Sequence, residues 1–190
     1  MKVALGQAED IDTLKAARAV VHQCRSQLAG QRPSAAILMA GVVYDHVLVL
    51  QTVRNAFPNL PLVGCTTAGE MASVGGFSDD SLVLMLLSSA QLTFGAGRGI
   101  ALSRDPEAAV ARALAMARGN LPDREQLCLV FCEGVSAPAH EAVQALNRQV
   151  AKGCPVIGGV AAHPWHIDTQ TRQFCHREAL EDAIVVLLVQ

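Results

Sequence analysis

The stretch Pro61-Leu62-Val63-Gly64-Cys65-Thr66-Thr67-Ala68-Gly69-Glu70 changes character halfway along. Its first half is apolar and suits a buried strand, while its second half sets a thiol, two hydroxyls, a glycine and a carboxylate close together. This is a strand running into a polar loop. Gly64 allows close approach by another backbone or a ligand, and Gly69 permits a turn of positive φ just before Glu70, the only charged side chain of the stretch. Two readings follow: a loop built to hold a ligand, or a tight turn in which Thr66 and Thr67 bond their own backbone and Glu70 is solvated.

The same signal returns further along the chain. Pro155-Val156-Ile157-Gly158-Gly159 answers to Pro61–Cys65 at a shift of 94 positions, and Asp182-Ala183-Ile184-Val185 answers to Asp80-Ser81-Leu82-Val83 at a shift of 102. The second loop is therefore the longer. This repeat predicts one α/β domain over residues 1–190, an internally duplicated mixed-sheet sandwich with amphipathic helices, with repeat 1 at 1–90 and repeat 2 at 91–190. Each repeat has the order β-α-β-α-β-loop-β. A pseudo-twofold relation between them would bring the loops after Gly64 and Gly158 to equivalent ends of the sheets, which predicts a pocket shared by both.

Local patterns place the elements. Strands are expected at 2–6, about 35–40, 61–65 and 81–87, the last too continuously apolar to sit with a face in water and hence central. Asp10 is the expected cap of a first helix with Leu14, Ala17, Val21, Cys24 and Leu28 on its apolar face. A second helix carries Val43, Val47, Leu50 and Phe57 and closes at Pro58, and 75–80 reads as a turn. In the second half, strands at 92–97, 127–132, 154–159, near 171–176 and 183–189 alternate with two helices. Asp105-Pro106-Glu107 opens the first of these, with Val110, Leu114 and Ala117 as its stripe; Ser136 caps the other, marked by Ala139, Val143, Leu146 and Val150.

Composition narrows the function. Of 190 residues 51% are apolar, in blocks too short to span a membrane, and the formal net charge of -2 comes without a dense basic run. Nucleic acid and anionic lipid are thereby disfavoured as partners. The N-terminus turns acidic before a signal-peptide core could form, so a soluble, cytoplasmic protein with its six cysteines reduced is expected. Cys128 and Cys132 share one face of a strand and are read as core.

Gly64-Cys65-Thr66-Thr67-Ala68-Gly69-Glu70, preceded by Phe57-Pro58 and followed by Asp80-Ser81-Leu82-Val83-Leu84, resembles the N-terminal part of the FIST sensory domain. The resemblance extends through Pro155–Ala162 to Asp182–Leu187. It implies an intracellular signal-transduction module that binds a small ligand such as an amino acid. A histidine kinase or other signalling protein, and a separate C-terminal FIST-type domain, are the partners it implies. In some members the bound group is haem, so a gas sensor is an alternative. One departure stands out: where the family reads Gly-Gly-x-Ala-Gly-Asp, this chain reads Gly158-Gly159-Val160-Ala161-Ala162-His163.

The candidate ligand-binding residues are Cys65, Thr66, Thr67, Gly69 and Glu70 from the first loop, and Gly158, Gly159, His163 and His166 from the second. Cys65, at a strand end followed by free N–H groups, could serve a cysteine-dependent hydrolase or transferase with His163 as base across the two halves. A buried core thiol is the plainer reading, and no catalytic constellation is assembled in the sequence, so a non-enzymatic module is expected. Glu70 can accept from an amine or fix the loop backbone. His163, His166, Cys175 and His176 match no common zinc spacing, and no metal is assigned. Trp165 reads as a pocket lid, a docking surface or a ring packed on the sheet.

Overall fold

The computed structural model describes residues 1–119, 121, 124–135, 139–164 and 170–190. The first half runs β1 (Lys2–Ala8), α1 (Thr13–Leu28), β2 (Ala35–Gly41), α2 (His46–Ala56), β3 (Leu62–Thr67), β4 (Glu70–Ala72), β5 (Gly76–Ser78) and β6 (Leu82–Ser88). The second runs β7 (Phe94–Ile100), α3 (Pro106–Arg118), β8 (Leu127–Cys132), α4 (Ala139–Gln149), β9 (Val156–Val160), β10 (Gln173–Cys175), β11 (Glu178–Leu180) and β12 (Ala183–Val189). Both halves order their strands as first, last, second, third: β1-β6-β2-β3 and β7-β12-β8-β9. In each, the second and third strands are parallel and the last is antiparallel to both neighbours. The mixed-sheet α/β sandwich is as the sequence predicts, and β6 is central.

Strand alternation sets the layers. Along β12, Ile184, Val186 and Leu188 face α3 and α4, whereas Val185, Leu187 and Val189 fill the space between the sheets. On the other side, Leu38, Leu82, Leu84 and Leu86 pack under α1 and α2. The order is helices, sheet, sheet, helices. In the second half the outer helix lies unusually close: a Cβ on Gly95, Gly97 or Gly99 of β7 would come within 2.1, 2.0 and 1.9 Å of the carbonyl oxygens of Ala117, Ala113 and Ala109 on α3. Small residues on both elements let one backbone rest on the other.

Two helix starts and one helix face need correction. Asp12, not Asp10, caps α1, its carboxylate accepting from the Leu14 and Lys15 N–H groups; Asp10 stands outside, accepting from Asp12 N–H at 3.0 Å and pairing with Lys15 at 2.5 Å. Asp45 caps α2, so Val43 precedes the helix and Val47 falls on its outer face; the buried stripe is Val49, Leu50 and Val53. In α4, Ala142, Ala145 and Leu146 are buried and Val143 is exposed. The expected cap Ser136 lies outside the described residues. Among those residues no helix is long and apolar enough to cross a membrane.

The loops depart most from symmetry. In the first half β4 and β5 form a two-stranded hairpin, with β5 inside the stretch expected as a turn. In the second, the strand expected near 171–176 is β10, but it and β11 leave their own half and extend the first sheet to β1-β6-β2-β3-β10-β11. β10 runs antiparallel to β3, with Phe174 opposite Gly64. Among the described residues the second sheet receives no such addition, and β9 forms its edge.

Candidate functional site

Gly64 sits where β3 presses on β2: a Cβ there would lie 1.8 Å from the Leu38 carbonyl oxygen, so the backbone that approaches closely is the neighbouring strand's. Cys65, the next residue, points between the sheets. Its Sγ lies 3.9 Å from Met39 Sδ and burial pushes the thiol up to about 12. A neutral thiol is a poor nucleophile, and among the described residues no base is hydrogen-bonded to this one. Cys24, Cys128 and Cys175 are likewise pushed to about 12 by burial and Cys132 to about 11, while Cys154 alone is half-exposed. Iodoacetamide at neutral pH should therefore modify Cys154 first and Cys65 only after unfolding, as read by peptide mass spectrometry. Rapid modification of Cys65 in the folded protein would overturn this assignment.

Thr66 is the meeting point of the two loops. Its carbonyl accepts from Ala162 N–H at 3.0 Å, its N–H donates to the Arg172 carbonyl at 2.9 Å, and its hydroxyl accepts from Arg172 N–H at 3.0 Å. Both flanks of the second loop are thus bonded to one residue of the first. Beyond it, Thr67 is half-buried and donates its hydroxyl proton to Glu70 Oε1; Glu70 Oε2 accepts from Ser81 N–H at 2.7 Å and Ser81 Oγ at 3.0 Å. Glu70 is only 3% exposed, and burial raises its pKa against these lowering bonds. It is not the solvated carboxylate of an open turn. Gly69 has no positive φ; a Cβ there would meet the Phe77 ring at 2.9 Å, so packing rather than turn geometry requires glycine.

Across the junction lies a second buried carboxylate, which sequence patterns did not single out. Glu133 follows β8; its Oε1 accepts from the Gly134 and Val135 N–H groups, and its Oε2 from the Thr171 hydroxyl and from Gln173 Nε2 at 3.3 Å. Gln173 Oε1 in turn accepts from Ala183 N–H at 3.1 Å. Gln173 and Glu70 are counterparts. Each opens the first strand of its hairpin and each receives the N–H at the start of the closing strand, Ser81 or Ala183. The sequence signal was the Ser81–Ala183 correspondence, and unequal loop lengths hid the rest.

The other candidates are dispersed. Gly158 and Gly159 are exposed on β9, the latter with open space around it. His163 is half-buried beside the junction, its Nδ1 2.9 Å from the Pro164 carbonyl oxygen. His166 and Trp165 lie outside the described residues. Cys175 is buried between the sheets, and His176 lines a small cleft with Phe57 and Leu60. Among the described residues no group of three or more His, Cys, Asp or Glu side chains could hold a metal ion. Thr66, Thr171 and the two carboxylates are buried, and their hydrogen bonds go to one another's loops and to the loop backbones.

Residues 34–190 match the family described as the FIST N domain. Among solved structures, cyanuric acid hydrolase from A. caulinodans is similar with a TM-score of 0.51 at 9% identity, over 99% of this chain and 71% of that one, a likeness of fold alone. No curated protein matches the sequence. The match spans most of the chain and includes the Gly-Cys-Thr-Thr-Ala-Gly-Glu loop, so the chain belongs to the FIST N domain family, a family of sensory domains.

Proposed function

We propose that this sensory domain takes up a small molecule bearing an amine or amide, of the size of an amino acid, at the junction where the second loop bonds to Thr66. Thr67, Gly69 and His163 are the accessible groups there, and Glu70 stands behind them. The observation that carries the reading is the contact of Thr67 Oγ1 with Glu70 Oε1, where the ionised carboxylate can only accept. Thr67 gives its only hydroxyl hydrogen to Glu70, so it offers just lone pairs outward and favours a ligand N–H over a carbonyl. Signalling would follow from the ligand bridging two loops that belong to different halves.

Glu70→Gln tests this with little change of shape. A glutamine can still accept from Ser81 N–H, as Gln173 does from Ala183, but its amide donates to Thr67 and turns that hydroxyl round. For an amine ligand found by native mass spectrometry of the purified protein, affinity should fall roughly tenfold, about 1.4 kcal/mol, while Cys65→Ser changes it little. Titration calorimetry decides, and unchanged affinity in Glu70→Gln would remove Thr67 from the site.

The same substitution has a signed effect on stability. Burial raises the Glu70 pKa in the folded state, so between the unfolded and folded values the native protein binds the extra proton and stability declines as pH rises through that window. Glu70→Gln abolishes the decline. Its melting temperature should match the wild type at low pH and equal or exceed it at neutral pH. A variant that melts well below the wild type at neutral pH alone would show that the ionised carboxylate is the favoured form in the fold.

A further inference from the structure

The first sheet is finished by a hairpin from the other half; among the described residues the second sheet is not. In the first, β10 lies on β3 with Gln173, Phe174 and Cys175 opposite Cys65, Gly64 and Val63, and Phe174 is fully buried beside α2. The equivalent edge, β9, has Gly158 in the place of Gly64 and the same close approach to its own neighbour, a Cβ on it falling 1.8 Å from the Val130 carbonyl oxygen. No described strand pairs with its outer side. Pro155 O and Ala161 N bond towards β8, so by alternation the N–H and C=O of Gly158 point outward. Ile157 and Val160 are about half exposed, and so is Val143, fifth residue of α4, although Leu50, fifth residue of α2, is fully buried.

The chain also carries a hairpin that joins neither of these sheets. β4–β5 is the counterpart of β10–β11, yet it pairs only with itself and exposes Met71, opposite Phe77, at 80% and 66%. An unpaired edge and an unpaired apolar hairpin, each matching one member of a contact already made inside the molecule, are complementary surfaces. We propose that β9 is a docking edge for the β4–β5 hairpin of a second copy of this chain. The internal contact fixes the register: Met71 opposite Gly158, with Glu70 and Ala72 opposite Gly159 and Ile157. Met71 then covers Val143 as Phe174 covers its side of α2. The contact is head to tail, since hairpin and edge are different surfaces, and it closes a ring or extends a filament according to the rotation between copies.

Two substitutions at exposed positions separate the partners. Met71→Lys spoils the hairpin, and Ile157→Lys places a charge on the edge. Sedimentation of the whole chain at high micromolar concentration should give at least twice the monomer mass for the wild type and the monomer for each variant. An equimolar mixture of the two variants should form a dimer, because one intact hairpin then meets one intact edge. Hydrogen exchange of wild-type residues 156–160 should slow as concentration rises. A monomeric wild type, an assembly that survives in either variant, or a mixture that stays monomeric with exchange at 156–160 independent of concentration would each overturn the proposal.

Discussion

Gly64→Ala should cost the fold more than about 3 kcal/mol, whereas Gly158→Ala, which introduces the same clash, should cost about 1–2 kcal/mol. A methyl group at either position would lie 1.8 Å from a backbone carbonyl oxygen of the neighbouring strand, Leu38 or Val130. The difference lies in what else holds each strand. β3 is clamped between β2 and β10, with Leu38 on one side of Gly64 and Phe174 on the other, so relief of the clash requires two ladders to shift. Among the described residues β9 has a strand neighbour only at β8 and can slide outward. Urea unfolding of both variants measures this. Equal losses would show that the second sheet holds its edge as firmly as the first holds its interior.

Phe174→Ala should cost about 3–5 kcal/mol, the range for truncating a buried aromatic ring. Phe174 is wholly buried, joins the cluster under α1 and α2, and lies 5.1 Å from the His46 ring. It is the side chain by which a hairpin of the second half is fastened into the core of the first. The variant should therefore lose amide protection at β10, β11 and the facing edge of β3 before the rest of the molecule opens, as read by hydrogen exchange. A loss below about 1 kcal/mol would mean that the backbone ladder alone secures the hairpin.

Much of the architecture was legible from the sequence because the longer elements are strongly patterned. Leu127–Cys132 and Ala183–Val189 are continuous apolar runs between polar turns, and their bounds agree with expectation. Asp105-Pro106 marked α3 for the same local reason. Phase was harder in the eleven-residue helices. Val47 keeps a four-residue spacing with Val43, which precedes α2, and Val143 keeps the spacing with Ala139 and Leu146 inside α4, yet both face outward. Three-residue strands such as β4, β5 and β11 carry too few alternations to register. The pairing of β10 with β3 joins segments more than a hundred residues apart, which no local pattern encodes.

The site divides along the same line. The Gly64–Glu70 loop announced itself by its residue types, and the structure then placed Cys65 and Glu70 in the interior and Thr66 at the contact with the second loop. Glu133 was invisible for a physical reason. A single acid after an apolar strand looks like any strand end until the fold brings Thr171 and Gln173 to it.

The crossing of β10 also imposes a timetable on synthesis. A ribosome releases residues 1–90 well before it releases Phe174, so the emerging first half must wait with the rim of β3 unoccupied and a gap under α2. Only the late arrival of residues 173–180 seals it. The two halves look like separable pieces by their strand order, yet cutting the gene between them would yield an amino-terminal fragment that never acquires its last two strands.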